Sequence, residues 1–276
     1  WQDMVADGIA RTMDRFNIDG VYLDGTEYPR ACTNTLHGCG HVRGDGAIAP
    51  TYPIYAIRSV MRRLYMAVKS RKPAAQVNVH NSTCMVMPAL GFATSTWDGE
   101  QFQDIKGRDV AASLLPLDAF RCEFMGRQWG LPAEFLAYGE GFSFEEAWAV
   151  PLLHDVPRRP NNADDDLDLS SRIWAAMDRF DRAGAQWLPY FSNTAYVQSK
   201  TPGIFVSLYR HPANGVLAVI ANVAGQRGKI DLTFNWRKLG LRESHVKITD
   251  AFTGKPLRLT GSLAPFQWRL ASIVSS

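Results

Sequence analysis

Apolar positions follow two spacings over the first two thirds of the chain and only one over the last third. In residues 4–16, and again in 52–70, they recur every three or four positions, as on a helix with one buried face. The second stripe comprises Ile54, Ile57, Val60, Met61, Leu64, Tyr65 and Val68. Short apolar runs between and after these read as strands: 18–24 (IDGVYLD), 76–80 (QVNVH), 92–97 (FATSTW), 119–124 (AFRCEF) and 150–153 (VPLL). Helical stretches near 108–115 and 143–149 fill the intervals. A loop rich in Pro, Asn and Asp then leads to a strong helix at 169–183, for which Asp168 or Ser170 supplies a cap.

From about residue 190 the helical spacing vanishes. Runs at 204–210, 216–223, 229–234, 245–251, 257–259 and 266–274 are separated by turn signals, and Asn214-Gly215 marks a hairpin because both residues tolerate positive φ. The chain therefore divides into residues 1–187, where strands and helices alternate, and 188–276, an antiparallel β-sandwich domain. The expected fold class is α/β, a (β/α)8 TIM-type barrel followed by that sandwich. Five β/α strands are visible where eight close a barrel, and each unit takes about 30 residues. Residues 1–187 thus read as the rear half of a barrel, with about 90 residues or more expected upstream of Trp1. A doubly wound open sheet fits less well, since no Gly-rich phosphate loop follows any strand.

Composition narrows the partners. Thirty basic and 27 acidic residues among 276, spread without a run, give a net charge of +3. That leaves neither the clustered basic face of a nucleic-acid protein nor a basic patch for an anionic membrane. No stretch approaches the ~20 apolar residues of a membrane span. Eight Trp, nine Tyr and fourteen Phe suit a plain core and suit sugar stacking equally.

The sharpest motif is Val21-Tyr22-Leu23-Asp24-Gly25. Alternating apolar residues end in a carboxylate, and a glycine then lets the chain turn away. In a barrel this seats Asp24 at the carboxyl end of a strand, where active sites are built. Glu27 follows in the next loop, as a ligand for a sugar hydroxyl or as a solvated charge. A second constellation, Thr96-Trp97-Asp98-Gly99-Glu100-Gln101, ends another strand. Two carboxylates beside a Trp offer a general acid with an apolar wall, which raises a carboxyl pKa toward neutrality. Sequence does not separate Asp98 from Glu100 in that role, although Asp98 sits nearer the strand end. Polar side chains at the other strand ends complete the picture: Asn78, His80 and Asn81, then Glu123 and Arg127, then His154, Asp155 and Arg158. Several hydrogen-bonding groups around one mouth are what a sugar's hydroxyls require. With Tyr22 and Trp97, the residues Glu27, Asn78, His80, Glu123, His154 and Arg158 form the expected substrate-binding set.

Cys32, His37, Cys39 and His41 crowd one loop after the Asp24 strand. Zinc ligation, a Cys32–Cys39 disulfide and free thiols are all open readings, and C-x6-C is not a usual finger spacing. The expected catalytic chemistry needs no cofactor and no metal. Cys84 and Cys122 lie near apolar runs and read as core.

With these residues placed, the stretches GVYLDGTEYP, TNTLHGCGH, FATSTWDGEQF and LLHDVPRRP resemble bacterial glycoside-hydrolase-domain barrel proteins, loosely related to glycoside hydrolase family 123, the β-N-acetylgalactosaminidases. ITDAFTGKPL and FQWRLASI resemble the closing strands of the β-domains in such enzymes. The resemblance implies glycoside hydrolysis on a barrel. Family 123 uses adjacent acidic residues to polarise an acetamido group, whereas here Asp24 is followed by Gly25. The layout is more similar to retaining α-galactosidase-type barrels, with one Asp at an earlier strand end and an acid at a later one.

The expectation is therefore a retaining glycosidase with Asp24 as nucleophile or charge stabiliser and Asp98 or Glu100 as acid/base. A non-catalytic glycan-binding protein on the same scaffold is the alternative, and a zinc enzyme built on the cysteine loop is a third. A glycan substrate and an even cysteine count point toward export. The sugar, its anomer and endo or exo action are not written in the sequence.

Overall fold

The computed structural model describes residues 1–25, 29–81, 86–102, 115–125, 130–137, 146–159 and 164–275. The chain packs as two compact units, residues 1–101 with 126–134, and residues 102–125 with 135–276.

The first unit opens with α1 (Gln2–Phe16), ended by Asn17 in the left-handed region, and β1 (Gly20–Leu23). A loop carrying the short hairpin β2 (His41–Val42) and β3 (Ile48–Ala49) leads to α2 (Ile54–Arg71). After it come β4 (Gln76–His80), α3 (Met87–Leu90) and β5 (Ser95–Asp98). β1, β4 and β5 run parallel, with Tyr22 opposite Asn78 and Asn78 opposite Ser95. The α2 stripe packs as its spacing predicts. Val60, Met61, Leu64 and Val68 are buried against Leu23, Val77 and Val79 of the sheet, while Ile54, at the helix start, is exposed. Ion pairs Arg71–Asp14 (2.8 Å) and Arg63–Asp3 tie α2 to α1. Thr96 N donates to Pro132 O (3.0 Å) just ahead of β6 (Ala133–Leu136), whose first two residues belong to this unit.

In the second unit come α4 (Leu117–Phe124), the end of β6, α5 (Glu146–Leu153), β7 (Arg158–Arg159) and α6 (Asp164–Phe180). Phe135 and Leu136 pair in parallel with Arg158 and Arg159. Five parallel strands thus stand among the described residues, but two are not where the sequence suggests. Residues 119–124 are helical, because Leu117, Phe120 and Phe124 also lie three and four apart. Phe120 and Phe124 stack at 4.8 Å in the core. Cys122, expected in the core, is exposed, since two residues of helix turn it about 200° from Phe120. Residues 150–153 belong to α5, whose residues 147–153 are all buried; a continuous apolar run does not distinguish a buried helix from a buried strand.

The remaining elements are β8 (Gln186–Leu188), β9 (Val197–Ser199), β10 (Ile204–His211), β11 (Gly215–Asn222), β12 (Gly228–Lys229), β13 (Leu232–Phe234), α7 (Trp236–Leu239), β14 (Val246–Asp250), β15 (Ser262–Leu263) and β16 (Trp268–Ser275). An antiparallel sheet has the order β14-β16-β11-β10-β8, and β12–β15 and β13–β9 form two small ladders. The expected strand at 257–259 is absent, with one bridge between Thr249 and Pro256 in its place; Pro256 has no N–H to extend a ladder. The expected run 229–234 is split into β12 and β13. The change of texture at residue 187 lies inside this unit, within β8.

β11 is buried along its length because both faces are covered. Val216, Ala218 and Ile220 pack with Val197, Ile230 and Leu263 of the small ladders. Leu217, Val219 and Ala221 pack with Trp148 and Ile173 of the helices.

Candidate active site

Parallel register places the polar residues of the first unit in two rows across the sheet. Tyr22, Asn78 and Ser95 form one, and His80 opposite Trp97 begins the next, toward the carboxyl ends of the strands. Asp24, one residue beyond β1, continues that second row. Alternation sends Leu23, Val77 and Val79 to the helices, and Tyr22, Asn78 and His80 to the other face. Gly25 follows Asp24 at φ +75°, where a side chain is strained, and turns the chain out of the strand as its position in the motif predicts.

His80 is the hub. The Tyr22 hydroxyl lies 2.5 Å from its Nδ1, and Asp24 Oδ1 lies 3.9 Å from the same nitrogen. Glu100 Oε2 lies 2.9 Å from its Nε2. The imidazole side chain is only 10% exposed, whereas the Asp24 side chain is 69% and the Glu100 side chain 37% exposed. A largely buried ring thus contacts Glu100 directly and lies near Asp24, and both carboxylates reach solvent. Through that ring, the separation of Asp24 Oδ1 and Glu100 Oε2 has an upper bound of about 9 Å, a ceiling that does not separate the ~5–5.5 Å spacing of retaining enzymes from the wider spacing of inverting ones. Tyr22 also stacks on Trp97, with ring centroids 4.3 Å apart at 36°.

Asp98 is placed differently. It alternates with Trp97 onto the opposite side of β5 and is fully buried. Its Oδ1 accepts from Gln101 Nε2 (2.9 Å), and Gln101 Oε1 accepts from Gly99 N (3.1 Å). This closed turn carries Glu100. Sequence reasoning gives Gln101 no role, and its signal is an amide three residues past a strand-end Asp. Asn78 Nδ2 donates to Ser95 Oγ (2.7 Å), and Asn81 Nδ2 donates to Thr96 Oγ1 (2.8 Å). Asn78 Oδ1 is buried without a hydrogen-bond partner among the described residues.

The structure therefore brings Tyr22, Asp24, Asn78, His80, Trp97 and Glu100 together in the first unit. Glu27 lies outside the described residues, as does Arg127. Glu123, His154 and Arg158 belong to the second unit. Glu123 is half-buried on α4. His154 is 2% exposed: its Nδ1 lies 2.7 Å from Val150 O, its Nε2 3.2 Å from the Tyr190 hydroxyl, and Phe120 packs 4.8 Å from its ring. Burial pushes its pKa down to about 4, so it is neutral at physiological pH. Arg158 is buried in β7, with its guanidinium 5.5 Å from the Trp148 ring. Asp155 accepts from the Tyr209 hydroxyl (2.8 Å) and pairs with Arg182 beside a cleft of about 360 Å³ lined by Trp148, Ile173 and Trp174. Burial, and then the Asp155 charge, push the Tyr209 hydroxyl well above its ordinary pKa.

Cys32 and Cys39 are free thiols, and a hydrogen bond to Cys32, followed by burial, pushes the Cys39 thiol up. Cys84 lies outside the described residues. No helix among the described residues is long and apolar enough to cross a membrane.

Residues 169–254 match the family model described as "Glycoside hydrolase 123, C-terminal domain". No curated protein matches the chain in sequence. Solved structures of similar fold include several glycoside hydrolases. A GH27 β-L-arabinopyranosidase from Geobacillus stearothermophilus superposes with TM-score 0.56 at 12% identity, covering 98% of this chain and 62% of its own. The α-amylase of Geobacillus thermoleovorans gives 0.57 at 10% identity, covering 100% and 64%. α-Galactosidase I of Mortierella vinacea gives 0.53 at 12%, covering 97% and 70%. The chain thus spans about 62% of the length of the arabinopyranosidase.

Proposed function

We propose that this chain carries the carboxylate pair of a glycoside hydrolase, with its parallel strands forming part of a β/α barrel. Asp24 is the nucleophile or charge stabiliser and Glu100 is the acid/base. The observation that carries the reading is the placement of the two carboxylates on either side of His80 of β4, Asp24 past the end of β1 and Glu100 past the end of β5, with Glu100 Oε2 2.9 Å from its Nε2 and Asp24 Oδ1 3.9 Å from its Nδ1. The match of residues 169–254 and the fold likeness to glycosidases support glycoside hydrolysis as the class of reaction.

Of the two acids at the end of β5, Glu100 fits the role. A proton donor must reach the glycosidic oxygen, and Glu100 is half-exposed while Asp98 is buried and engaged by Gln101. The Tyr22–His80–Glu100 chain offers a route for controlling its proton. When Glu100 is ionised, Tyr22 O–H donates to Nδ1 and Nε2–H donates to Oε2. Uptake of one proton reverses the chain: Glu100 O–H donates to Nε2, and Nδ1–H donates to the tyrosine oxygen. Neither state requires a heavy atom to move. Glu100 then protonates the leaving oxygen while Asp24 attacks the anomeric carbon or stabilises its positive charge, and Glu100 activates water in the second step. Trp97 and Tyr22 present ring area for the apolar face of the sugar.

Hydrolysis of a panel of 4-nitrophenyl glycosides, including the β-L-arabinopyranoside and α-galactoside, tests the reading. Asp24→Asn is expected to abolish turnover, and Glu100→Gln to lower kcat by about 10²–10⁴. Turnover by Asp24→Asn at the native rate would refute the assignment. Sugar binding with no turnover by the native protein would establish the glycan-binding alternative.

A further inference from the structure

The loop between Asp24 and α2 holds a cluster that the carboxylate site does not use. The Sγ atoms of Cys32 and Cys39 and a ring nitrogen of His37 all lie within 4.8 Å of one another. From this juxtaposition we propose a zinc site formed by Cys32, His37 and Cys39, with water as fourth ligand, that clamps the loop following the Asp24 strand.

The backbone brings the three donors together by separate means. Cys32 forms a two-way bridge with Thr51, its N–H donating to Thr51 O and its carbonyl accepting from Thr51 N, both at 2.9 Å. The hydroxyl of the same Thr51 accepts from Gly40 N (2.9 Å), next to Cys39. Thr51 thus fixes the chain at both cysteines, seven residues apart in sequence. Asn34 caps the intervening 3-10 turn, its side chain accepting from Leu36 N (2.9 Å) and its carbonyl from Cys39 N (3.2 Å). His37 ends that turn and is exposed, while Cys32 is half-buried and Cys39 buried. Two soft sulfurs and one imidazole, with the imidazole on the solvent side, are the donor set that selects zinc over oxygen-preferring cations.

Tetrahedral zinc holds sulfur at about 2.3 Å and nitrogen at about 2.0–2.1 Å, so its ligands stand within about 4 Å of each other. The cluster needs to contract only slightly to reach that geometry. Binding releases the two thiol protons, and the thiolates and the neutral imidazole each donate one electron pair. No oxidation state changes. The clamp would join residues 32, 37 and 39 in a loop held otherwise by hydrogen bonds and a two-residue hairpin, and it stands independently of how the carboxylate pair is read.

Metal content of the reduced protein, purified without chelator, tests the proposal. About one zinc per chain is expected. Cys32→Ser, Cys39→Ser and His37→Ala should each lower it more than tenfold, while Asp24→Asn should retain it. Because a cysteine variant risks misfolding, the exposed His37 is the critical position, with circular dichroism as the fold check. Wild-type protein stripped with chelator and given Co²⁺ should show thiolate-to-cobalt charge transfer and tetrahedral d–d bands. A Co²⁺-silent reduced protein, zinc retained in His37→Ala, or a Cys32–Cys39 disulfide found by alkylation without reduction would each overturn the proposal.

Discussion

His154 shows how burial converts a polar residue into a stability term with a definite pH window. With its ring neutral, Nδ1–H donates to Val150 O and Nε2 accepts from the Tyr190 hydroxyl. Burial depresses its pKa from 6.5 to about 4, opposed by the Val150 carbonyl and with a smaller lowering from Arg121. The unfolded chain therefore binds a proton between these values that the folded chain refuses. The stabilisation is fully present above pH 6.5 and is lost as pH falls toward 4. The full shift corresponds to about 3 kcal/mol, of which about 2 kcal/mol is lost by pH 5. His154→Asn keeps a donor near Val150 O, removes the titrating ring and drops the bond to Tyr190. Urea unfolding, followed by tryptophan fluorescence at pH 7.5, 6 and 5, should show the variant weaker by about 1–3 kcal/mol at pH 7.5. Between pH 7.5 and 5 it should lose about 2 kcal/mol less than the native protein. Parallel pH dependences in the two proteins would refute the reasoning. A histidine that touched substrate would instead raise KM and leave the acid slope unchanged.

Two further outcomes follow from the geometry. Tyr22→Phe keeps the ring on Trp97 but removes the hydroxyl from His80, so kcat on the active glycoside should fall about tenfold or more while the fold is retained by circular dichroism; a native kcat would exclude the Tyr22–His80–Glu100 chain. Gly215 (φ +79°) and Gly254 (φ +69°) share the same backbone strain, but a Cβ on Gly215 would fall 2.4 Å from Ile273 O while one on Gly254 meets nothing within 4 Å. Gly254→Ala should cost about 1 kcal/mol and Gly215→Ala about 2–4 kcal/mol, and equal shifts in calorimetry would contradict the close approach.

The elements that the sequence displays plainly are those whose pattern has one solution. The α2 stripe, 76–80 and the run ending at Asp24 each pair a clear period with a clear boundary. Residues 119–124 fit both a period of two and the i, i+4 spacing of Phe120 and Phe124, and only packing decides between them. Arg158-Arg159 reads as loop because a charged strand gives no apolar signal, yet it pairs with Phe135 and Leu136. At the candidate site, the strand-end carboxylates are legible because an apolar alternation that ends in an acid followed by glycine marks the end of a strand. Which acid faces His80 is not. That depends on the parity of β5 and on a turn closed by Gln101, which reverses the apparent advantage of Asp98.

β11 raises a question of register that its neighbours do not. Since Val216 to Ala221 are apolar on both faces, sliding the strand by one residue would exchange one apolar set for the other and expose no charge. Hydrophobicity alone therefore leaves its register weakly specified. The pins stand at its two ends. Gly215 closes the hairpin from β10 against Ile273 O, where a larger residue does not fit. Asn222 is tied by its side-chain amide to Gln226 O, Leu263 O and Ala264 O, and its Oδ1 accepts from Ala224 N. A slip in either direction would move both residues off these partners, so a glycine and a buried asparagine hold in place a strand whose greasy interior is indifferent to its own alignment.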